Sequence, residues 1–377
     1  MRIAFVIYSL GGGGAERVTA ILAQHWADTG HKVRVMTFAD ESANFYKLKS
    51  NVEYETLRCA SAGTTLWKKV VLNLSRISKL RRRLKIFQPD VVIGMMSTTS
   101  AIVALASVGL RCTAVGSERV HPPLDPLPPF QNFIRNVSYR FHDAVVAQTK
   151  ESAQWIRTHT AARTVHVIPN PLAWPLDAKE PILAPADFCP TGRSIILAVG
   201  RLVPQKGFDK VISAFAAVYE DHPSWDLVIL GAGPNRSALE MQIDQLGLKG
   251  RIFLPGRAGN IGDWYQRASI FAMTSLFEGF PNALLEAMAY GLPVISTDCD
   301  TGPRDLIEHN INGLLIAPGD QDALVEGLQQ LMGHEDLRRR LSEKARDVRK
   351  RYAIGDISAQ WLICLNSLAV SKSCENR

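Results

Sequence analysis

The sequence lacks a C-x-x-C pair, an apolar run long enough to span a bilayer, and a G-K-[ST] phosphate loop. Its cysteines, Cys59, Cys112, Cys189, Cys299, Cys364 and Cys374, lie scattered through 377 residues. That spacing argues against a disulfide framework and for reduced thiols in a cytosol. The longest apolar candidate, AIVALASVGL at 101–110, is about half the ~20 residues a membrane-spanning helix needs. The opening run IAFVIYSL leads into GGGGAER without a small-residue cleavage pattern, so it reads as a buried strand and not as an export signal. No internal repeat is visible. No nucleic-acid-binding motif is present either, and the basic stretches carry little aromatic interleaving.

What is present is the composition of a folded globular protein. Nearly half the residues are apolar, with 27 Gly and 20 Pro, and the length suggests two or three domains. The net charge of +7 is uneven: residues 1–180 hold 23 Lys+Arg against 13 Asp+Glu, and the remainder 20 against 23. The N-terminal half is therefore expected to meet something anionic, with nucleic acid, anionic lipid and phosphorylated substrates all open at this point.

Both halves alternate short apolar strands with amphipathic helices. In the first, RIAFVIYSL, HKVRVMTFAD, PDVVIGMM, TAVGSE and DAVVAQT read as strands buried on both faces. In the second, SIILAVG, WDLVILG, RIFLPG, SIFAMTS and LPVIST do the same. The alternation predicts an α/β fold of two doubly wound, Rossmann-like parallel sheets with a cleft between them. The expected layout is an N-terminal domain over 1–172, a linker over 173–190 marked by prolines, a C-terminal domain over 191–352, and a terminal helix and tail over 353–377 that crosses back to the N-domain. Ligands of such sheets bind beyond the carboxyl ends of the strands, so the loops there carry the argument.

After the first strand comes GGGGAE, Gly11 to Glu16. Its glycines allow close backbone approach to a ligand at a helix start, although a plain tight turn reads the same way. It is not a dinucleotide fingerprint, because Glu16 occupies the third glycine position. GRLVPQKG sets Arg201 and Lys206 in one loop, which suits a diphosphate or simply a solvated basic loop. GAGPN at 231–235 reads mostly as a turn. In FEGFPNALLEAMAYG, Pro281 and Gly291 bound a helix expected over 281–290, with Glu278 in the preceding loop and Glu286 in the second turn. Amides of the first turn can hold an anion while the two glutamates bind hydroxyls on either side, a layout that fits sugar, diphosphate and ribose. Two surface glutamates flanking an amphipathic helix is the plainer alternative. Asp298-Cys299-Asp300 resembles a D-x-D metal motif, but Arg201 and Lys206 already offer cations to a diphosphate, so no metal is expected.

Together, GGGGAERV, IPNP, VGRLVPQKGFD, VILGAGP, EGFPNALLEAMAYGLPVISTDCDTGPRDLI and NGLLIAPGD resemble the retaining glycosyltransferases of family 4, which have the GT-B fold. The resemblance implies that Arg201 and Lys206 hold the donor diphosphate, that Glu278 contacts the transferred sugar, and that Glu286 contacts the ribose. It implies backbone contacts to phosphate from Phe280, Pro281, Asn282, Ala283 and Leu284, to the nucleobase near Arg257, and to the diphosphate from Gly13 and Gly14. Many relatives carry a sugar-contacting histidine after the strand matching TAVGSE. Here Arg119 stands at that point and His121 two residues on, and both stay candidates.

The N-terminal half resembles bacterial enzymes that extend polyprenyl-diphosphate-linked glycans at the inner membrane face. The implied activity is metal-independent, retaining transfer of a hexose such as GalNAc or GlcNAc from a donor, expected to be a UDP-sugar, to a lipid-linked glycan. The implied location is cytoplasmic and peripheral on an anionic membrane. An epimerase of the same fold is the alternative enzyme, disfavoured by the intact E-x7-E; a non-catalytic nucleotide-sugar-binding subunit is the alternative binder, disfavoured by the complete motif set. The stretch 67–87 holds Lys68, Lys69, Arg76, Lys79, Arg81, Arg82, Arg83 and Lys85 with no acidic residue. Val70, Leu74, Ile77, Leu80 and Leu84 fall on one helical stripe, so it reads as a basic amphipathic helix for the membrane surface, or as a surface helix packed on its own domain.

Overall fold

The computed structural model describes residues 1–60, 66–124 and 127–375. The chain divides into two units, one of residues Met1–Pro171 with Ile354–Arg377, the other of Leu172–Ala353. The first is built on a seven-stranded sheet of order β3-β2-β1-β4-β5-β6-β7. Its strands are β1 Arg2–Ile7, β2 Lys32–Thr37, β3 Glu53–Thr56, β4 Val91–Met95, β5 Thr113–Ser117, β6 Ala144–Ala147 and β7 Val165–Val167. Every pairing is parallel, with Ile3 facing Val33 on one side and Val91 on the other. Its helices are α1 Gly14–Asp28, α2 Leu66–Phe87, α3 Ser97–Ser107, α4 Pro129–Ser138 and α5 Lys150–His159.

Parallel pairing requires crossovers, and crossovers cover both faces of the sheet, so the central strands are fully buried. Ile3, Phe5, Val92 and Ile93 have no exposed surface. The edges differ. Strands β3, with sequence EYET, and β7, with VHV, are only half-buried, so they lack the continuous apolar run that marks the others, and the sequence alone does not announce them.

Helix α2 corrects the expected stripe. Ile77, Leu80, Leu84 and Phe87 join the apolar cluster under the sheet, but Leu74 is 60% exposed and Val71 59% exposed. The inward stripe thus runs from Ile77 to Phe87, because only the C-terminal part of the helix lies over that cluster.

The second unit has a six-stranded parallel sheet of order β10-β9-β8-β11-β12-β13. Its strands are β8 Ser194–Val199, β9 Trp225–Leu230, β10 Ile252–Gly256, β11 Ile270–Met273, β12 Val294–Thr297 and β13 Leu314–Ile316. Helices α6 Phe208–Val218, α7 Arg236–Gln245, α8 Ile261–Arg267, α9 Asn282–Ala289, α10 Pro303–Leu306, α11 Gln321–Gly333, α12 Glu335–Ala345 and α13 Val348–Arg351 surround it. The proline-rich stretch 173–190 is packed onto this unit. Leu183 N–H donates to Asn260 Oδ1 at 2.9 Å, the Trp264 indole donates to Leu183 O at 2.9 Å, and Cys189 is fully buried.

The chain then returns to the first unit as α14, Ile354–Glu375. The fully buried Trp26 of α1 stacks on Phe5 at 5.3 Å and meets Trp361 edge-on at 6.3 Å. Its indole N–H donates to Ser358 Oγ at 2.8 Å. These contacts fasten the last helix to the first, and truncating a buried tryptophan leaves a cavity that the neighbours fill only in part. Trp361→Ala is expected to destabilise the first unit by about 3–5 kcal/mol. Native-state hydrogen exchange should show faster exchange of β1 and β4 amides, with β8 amides unaffected.

Candidate active site

In the second unit the strand order reverses between β8 and β11. Loops leaving either side of such a reversal diverge, opening a crevice at the carboxyl ends of the strands. Residues 200–207 follow β8 and residues 274–281 follow β11, and one ion pair joins them. Lys206 Nζ lies 2.5 Å from Glu278 Oε1, and the same oxygen accepts a 2.6 Å hydrogen bond from Ser275 Oγ. The backbone carbonyl of Glu278 takes a hydrogen bond from the Thr301 hydroxyl. Glu278 is 6% exposed.

Two glycines permit this close packing. Gly207, at φ +59, ends the turn that carries Lys206, and a Cβ there would strike Thr274 O. Gly302, at φ +96, would place a Cβ 2.7 Å from Pro281 Cδ. Both also adopt backbone conformations that other residues avoid.

Helix α9 begins one residue later and ends one earlier than the sequence suggests, with Pro281 as its cap residue. Its ladder opens with Leu285 N–H on Pro281 O at 3.1 Å. The amides of Asn282, Ala283 and Leu284 therefore sit at the positive end of the helix as donors outside that ladder. Phe280 is buried and meets Tyr352 edge-on at 5.6 Å. Glu286 is buried in the second turn, where Tyr265 OH donates to its Oε2 at 3.2 Å. Neither glutamate is a solvated surface group.

Arg201 is exposed, with Nη2 3.5 Å from Gln205 Oε1. Gln205 in turn donates to Phe277 O at 2.8 Å and so adds a second tie between the two loops. Arg257, exposed, follows β10. The GAGPN segment is more than a turn. A Cβ on Gly231 would collide with Gly200 O and one on Gly233 with Leu202 O, so the pair lets this loop lie against the one bearing Arg201. Leu202 N–H donates to Ala232 O at 3.0 Å across that contact.

Ser275, Thr301, Tyr265 and Gln205 escaped the sequence reading. Single hydroxyls and amides near strand ends and turns carry no periodic signal. The D-x-D pair is arranged differently from a metal motif: Asp298 accepts two hydrogen bonds from Arg304, at 3.0 and 3.1 Å. Cys299 points inward, its thiol pushed up to about 12 by burial and by the neighbouring Glu278.

The first unit reverses its strand order between β1 and β4. The glycine loop leaves β1 there, with Gly13 capping α1 and Gly14 opening it; a Cβ on Gly13 would collide with the Glu16 carboxylate. Beyond β5, Glu118, Arg119 and His121 are all buried. Glu118 accepts hydrogen bonds from Ser97 Oγ at 2.8 Å and Tyr139 OH at 2.5 Å, and burial raises its pKa. Arg119 donates to Asn170 Oδ1, and its Nη1 lies 3.4 Å from Ser117 Oγ. Burial lowers its pKa to about 9. Among the described residues its Nε is buried without an acceptor, whereas His121 Nδ1 is engaged at 2.9 Å with Ser152 Oγ.

The cations of α2 are not all directed at solvent. Arg76 donates to Cys59 O at 2.9 Å, Arg81 to Val108 O at 2.6 Å, and Arg83 pairs with Glu55 at 2.7 Å. Lys79 Nζ lies 3.5 Å from Leu57 O. Arg82 and Lys68 are exposed, and the side chain of Lys69 lies outside the described residues. Among the described residues no helix is long and apolar enough to cross a membrane.

Removing one member of a buried pair strands the other in a low-dielectric site. Lys206→Met is therefore expected to lower the stability of the second unit by roughly 3 kcal/mol. With Glu278→Gln added, the loss should be less than the sum, with a coupling of about 0.5–3 kcal/mol in urea denaturation; strict additivity would mean the pair does not link the loops.

Comparison with known proteins follows the same division of the chain. The family described as Glycosyltransferase Family 4 matches residues 12–172, and that described as Glycosyl transferases group 1 matches residues 185–348. The GalNAc-α-(1→4)-GalNAc-α-(1→3)-diNAcBac-PP-undecaprenol α-1,4-N-acetyl-D-galactosaminyltransferase of Campylobacter jejuni is 29% identical, over 96% of this chain and 97% of its own length. The lipopolysaccharide 1,6-galactosyltransferase of Salmonella typhimurium is 31% identical over 52% of this chain and 53% of its own. Among solved structures, HepE of Anabaena in complex with UDP-glucose superposes with a TM-score of 0.77 at 22% identity, covering 97% of this chain and all of that one. Sucrose-phosphate synthase from Thermosynechococcus elongatus superposes with a TM-score of 0.82 at 17% identity, over 98% of this chain and all of that one. Two parallel sheets, each with loops gathered at a strand-order reversal, together with the two family matches, place the chain among the glycosyltransferases of the GT-B fold, with a family 4 N-terminal half and a group 1 C-terminal half.

Proposed function

We propose that the protein transfers a hexose, with retention of anomeric configuration, from a nucleotide-sugar donor to a polyprenyl-diphosphate-linked glycan, and that the donor is UDP-linked. The observation that carries this reading is the pair of half-buried Lys206 with buried Glu278 beside the N-terminus of α9, with Arg201 on the adjoining loop. The activity for which the Campylobacter relative is named, on an undecaprenol-PP glycan, and the UDP-glucose in complex with the Anabaena neighbour support the choice of acceptor and donor.

The charges suggest a division of labour. An ammonium has three donors; Lys206 spends one on Glu278 and has two for phosphate. Arg201 and the amides of Phe280, Asn282, Ala283 and Leu284 add further donors, so the negative charge that grows on the departing diphosphate meets groups already in position. Glu278 receives both Lys206 and Ser275 on Oε1, which leaves Oε2 to accept a sugar hydroxyl. Glu286, steadied by Tyr265, accepts from the ribose, and backbone near Arg257 faces the base. In the first unit, Gly13 and Gly14 serve the diphosphate, and Arg119, with its buried unspent donor, takes precedence over His121 for a substrate contact.

In the proposed step the bond from the sugar's anomeric carbon to the diphosphate oxygen breaks and a bond to the acceptor hydroxyl forms on the same face. The hydroxyl proton passes to the departing phosphate. Arg201 and Lys206 supply the positive charge at the diphosphate, so the reaction is expected to run without a divalent cation. The enzyme is proposed to work at the cytoplasmic face of an anionic membrane, aided by exposed α2 cations such as Arg82 and Lys85.

The direct test screens UDP-linked GalNAc, GlcNAc, galactose and glucose with lipid-linked acceptors, measuring UDP release and the product's anomeric configuration by NMR. An inverted product removes the retaining assignment. Glu278→Gln should lower kcat/KM by about a hundredfold or more with the fold intact, since its contact strengthens in the transition state; near-normal rates would take Glu278 out of the site. Arg201→Ala and Lys206→Ala should each weaken donor binding by roughly 1.5–3 kcal/mol, and EDTA should leave turnover unchanged. Strict dependence on added Mn²⁺ would instead point to Asp298 and Asp300.

A further inference from the structure

Helix α4 is built inside out. The residues it buries are Arg135 and Ser138, while Phe130 is 55% exposed, Phe133 64%, Val137 42% and, in the turn that follows, Phe141 46%. Their spacing of three and four residues puts these apolar groups along one stripe of the helix. The inversion has a local cause. Arg135 is held inside by the Trp155 ring, 4.9 Å from its guanidinium carbon, by Asn132, and by the charge of the buried Glu118. With Arg135 and Ser138 committed inward, the helix and the turn after it present three phenylalanines and a valine outward.

Single exposed hydrophobics are ordinary; a contiguous stripe on a short helix marks a surface that something covers. The charges around it identify the occupant. α3, which packs against both α2 and α4, carries no charged residue and leaves Leu105 and Val108 exposed at its end. From Leu66 through Phe141 the sequence holds twelve Lys+Arg and only three acidic residues, Asp90, Glu118 and Asp125, of which Glu118 is buried. The first unit as a whole holds 24 Lys+Arg against 13 Asp+Glu, a net charge of +11. An apolar aromatic stripe set in a basic surface is the pattern of a helix lying in the headgroup layer of an anionic bilayer.

We propose that α4 is a membrane-insertion element, with Phe130, Phe133, Val137 and Phe141 entering the acyl boundary of an anionic leaflet while the cations of α2 and Arg140 face the headgroups. At ten residues the helix is about 15 Å long, enough to lie along the interface and too short to cross. This deepens the proposed function, since it rests on an acceptor that resides in a membrane, and it moves the apolar anchor away from α2, whose own stripe packs inward from Ile77 to Phe87.

The test is flotation of the full-length protein with vesicles of phosphatidylglycerol and phosphatidylcholine, without donor or acceptor. Wild type should float with mixed vesicles and much less with phosphatidylcholine alone. Because the side chains are exposed, Phe130→Ser with Phe133→Ser should keep the fold by circular dichroism yet lower the vesicle partition coefficient by about tenfold or more. Phe133→Trp should gain fluorescence that brominated acyl chains quench. Equal flotation of wild type and the double serine variant, no flotation of either, or indole fluorescence from the Phe133→Trp variant that brominated lipid leaves unquenched would each overturn the proposal. So would a dimer in light scattering that the serine variant dissociates while flotation persists, since the stripe would then cover a second copy of the chain. Failure of transfer with flotation intact would count against the proposed function and leave α4 standing; loss of flotation with UDP release intact would do the reverse.

Discussion

In an all-parallel sheet every strand ends on the same edge. The loops, the glycines that let them bend, and the starts of the following helices all gather there, and where strand order reverses they part to leave a crevice. Both units of this glycosyltransferase obey that constraint. In the second it brings loops 72 residues apart in sequence close enough for Lys206 to reach Glu278. In the first it gathers Gly13, Ser97 and the adjacent Glu118 and Arg119 at strand ends, on three different loops or helix starts.

The ion pair is a poor stabiliser by ordinary reckoning, since taking both charges out of water offsets much of their attraction. Its value lies in position. Ser275 and the Thr301 hydroxyl fasten the glutamate's side chain and backbone, and Gly207 and Gly302 let the flanking chains approach closely enough for those bonds to form. A charge held this way needs little reorganisation when an anionic ligand arrives, which is how preorganised sites differ from flexible basic loops.

Legibility in the sequence tracked burial. Strands covered on both faces, such as β1, β4, β8 and β12, announce themselves as apolar runs, while the half-buried edges β3 and β7 do not, because burial on one side leaves short, mixed sequences. Helix α9 was legible to within a residue because Pro281 and Gly291 mark its ends by backbone geometry. Where apolar spacing was trusted to point inward, it misled. Leu74 obeys the spacing of α2 but lies beyond the core. In α4, for which the sequence offered no reading, a buried arginine claims the inner face and the phenylalanines turn outward. The hydroxyls that hold Glu278 were invisible for another reason: one serine or threonine at a strand end looks the same whether it serves a site or merely ends a strand.

The second unit begins at Leu172 and ends at Ala353, and these two residues pair as neighbours, with Leu172 N–H on Tyr352 O at 2.8 Å. It is thus an insertion whose entrance and exit adjoin. During synthesis this ordering matters. The first unit emerges with its sheet but without α14, so the face around Trp26 and Phe5 stays uncapped while 182 further residues are made. At about 5–20 residues per second that interval is on the order of ten to forty seconds. The inserted unit, contiguous in the chain, can finish folding before the unit that precedes it, and the nascent protein carries an unsealed aromatic surface until α14 emerges.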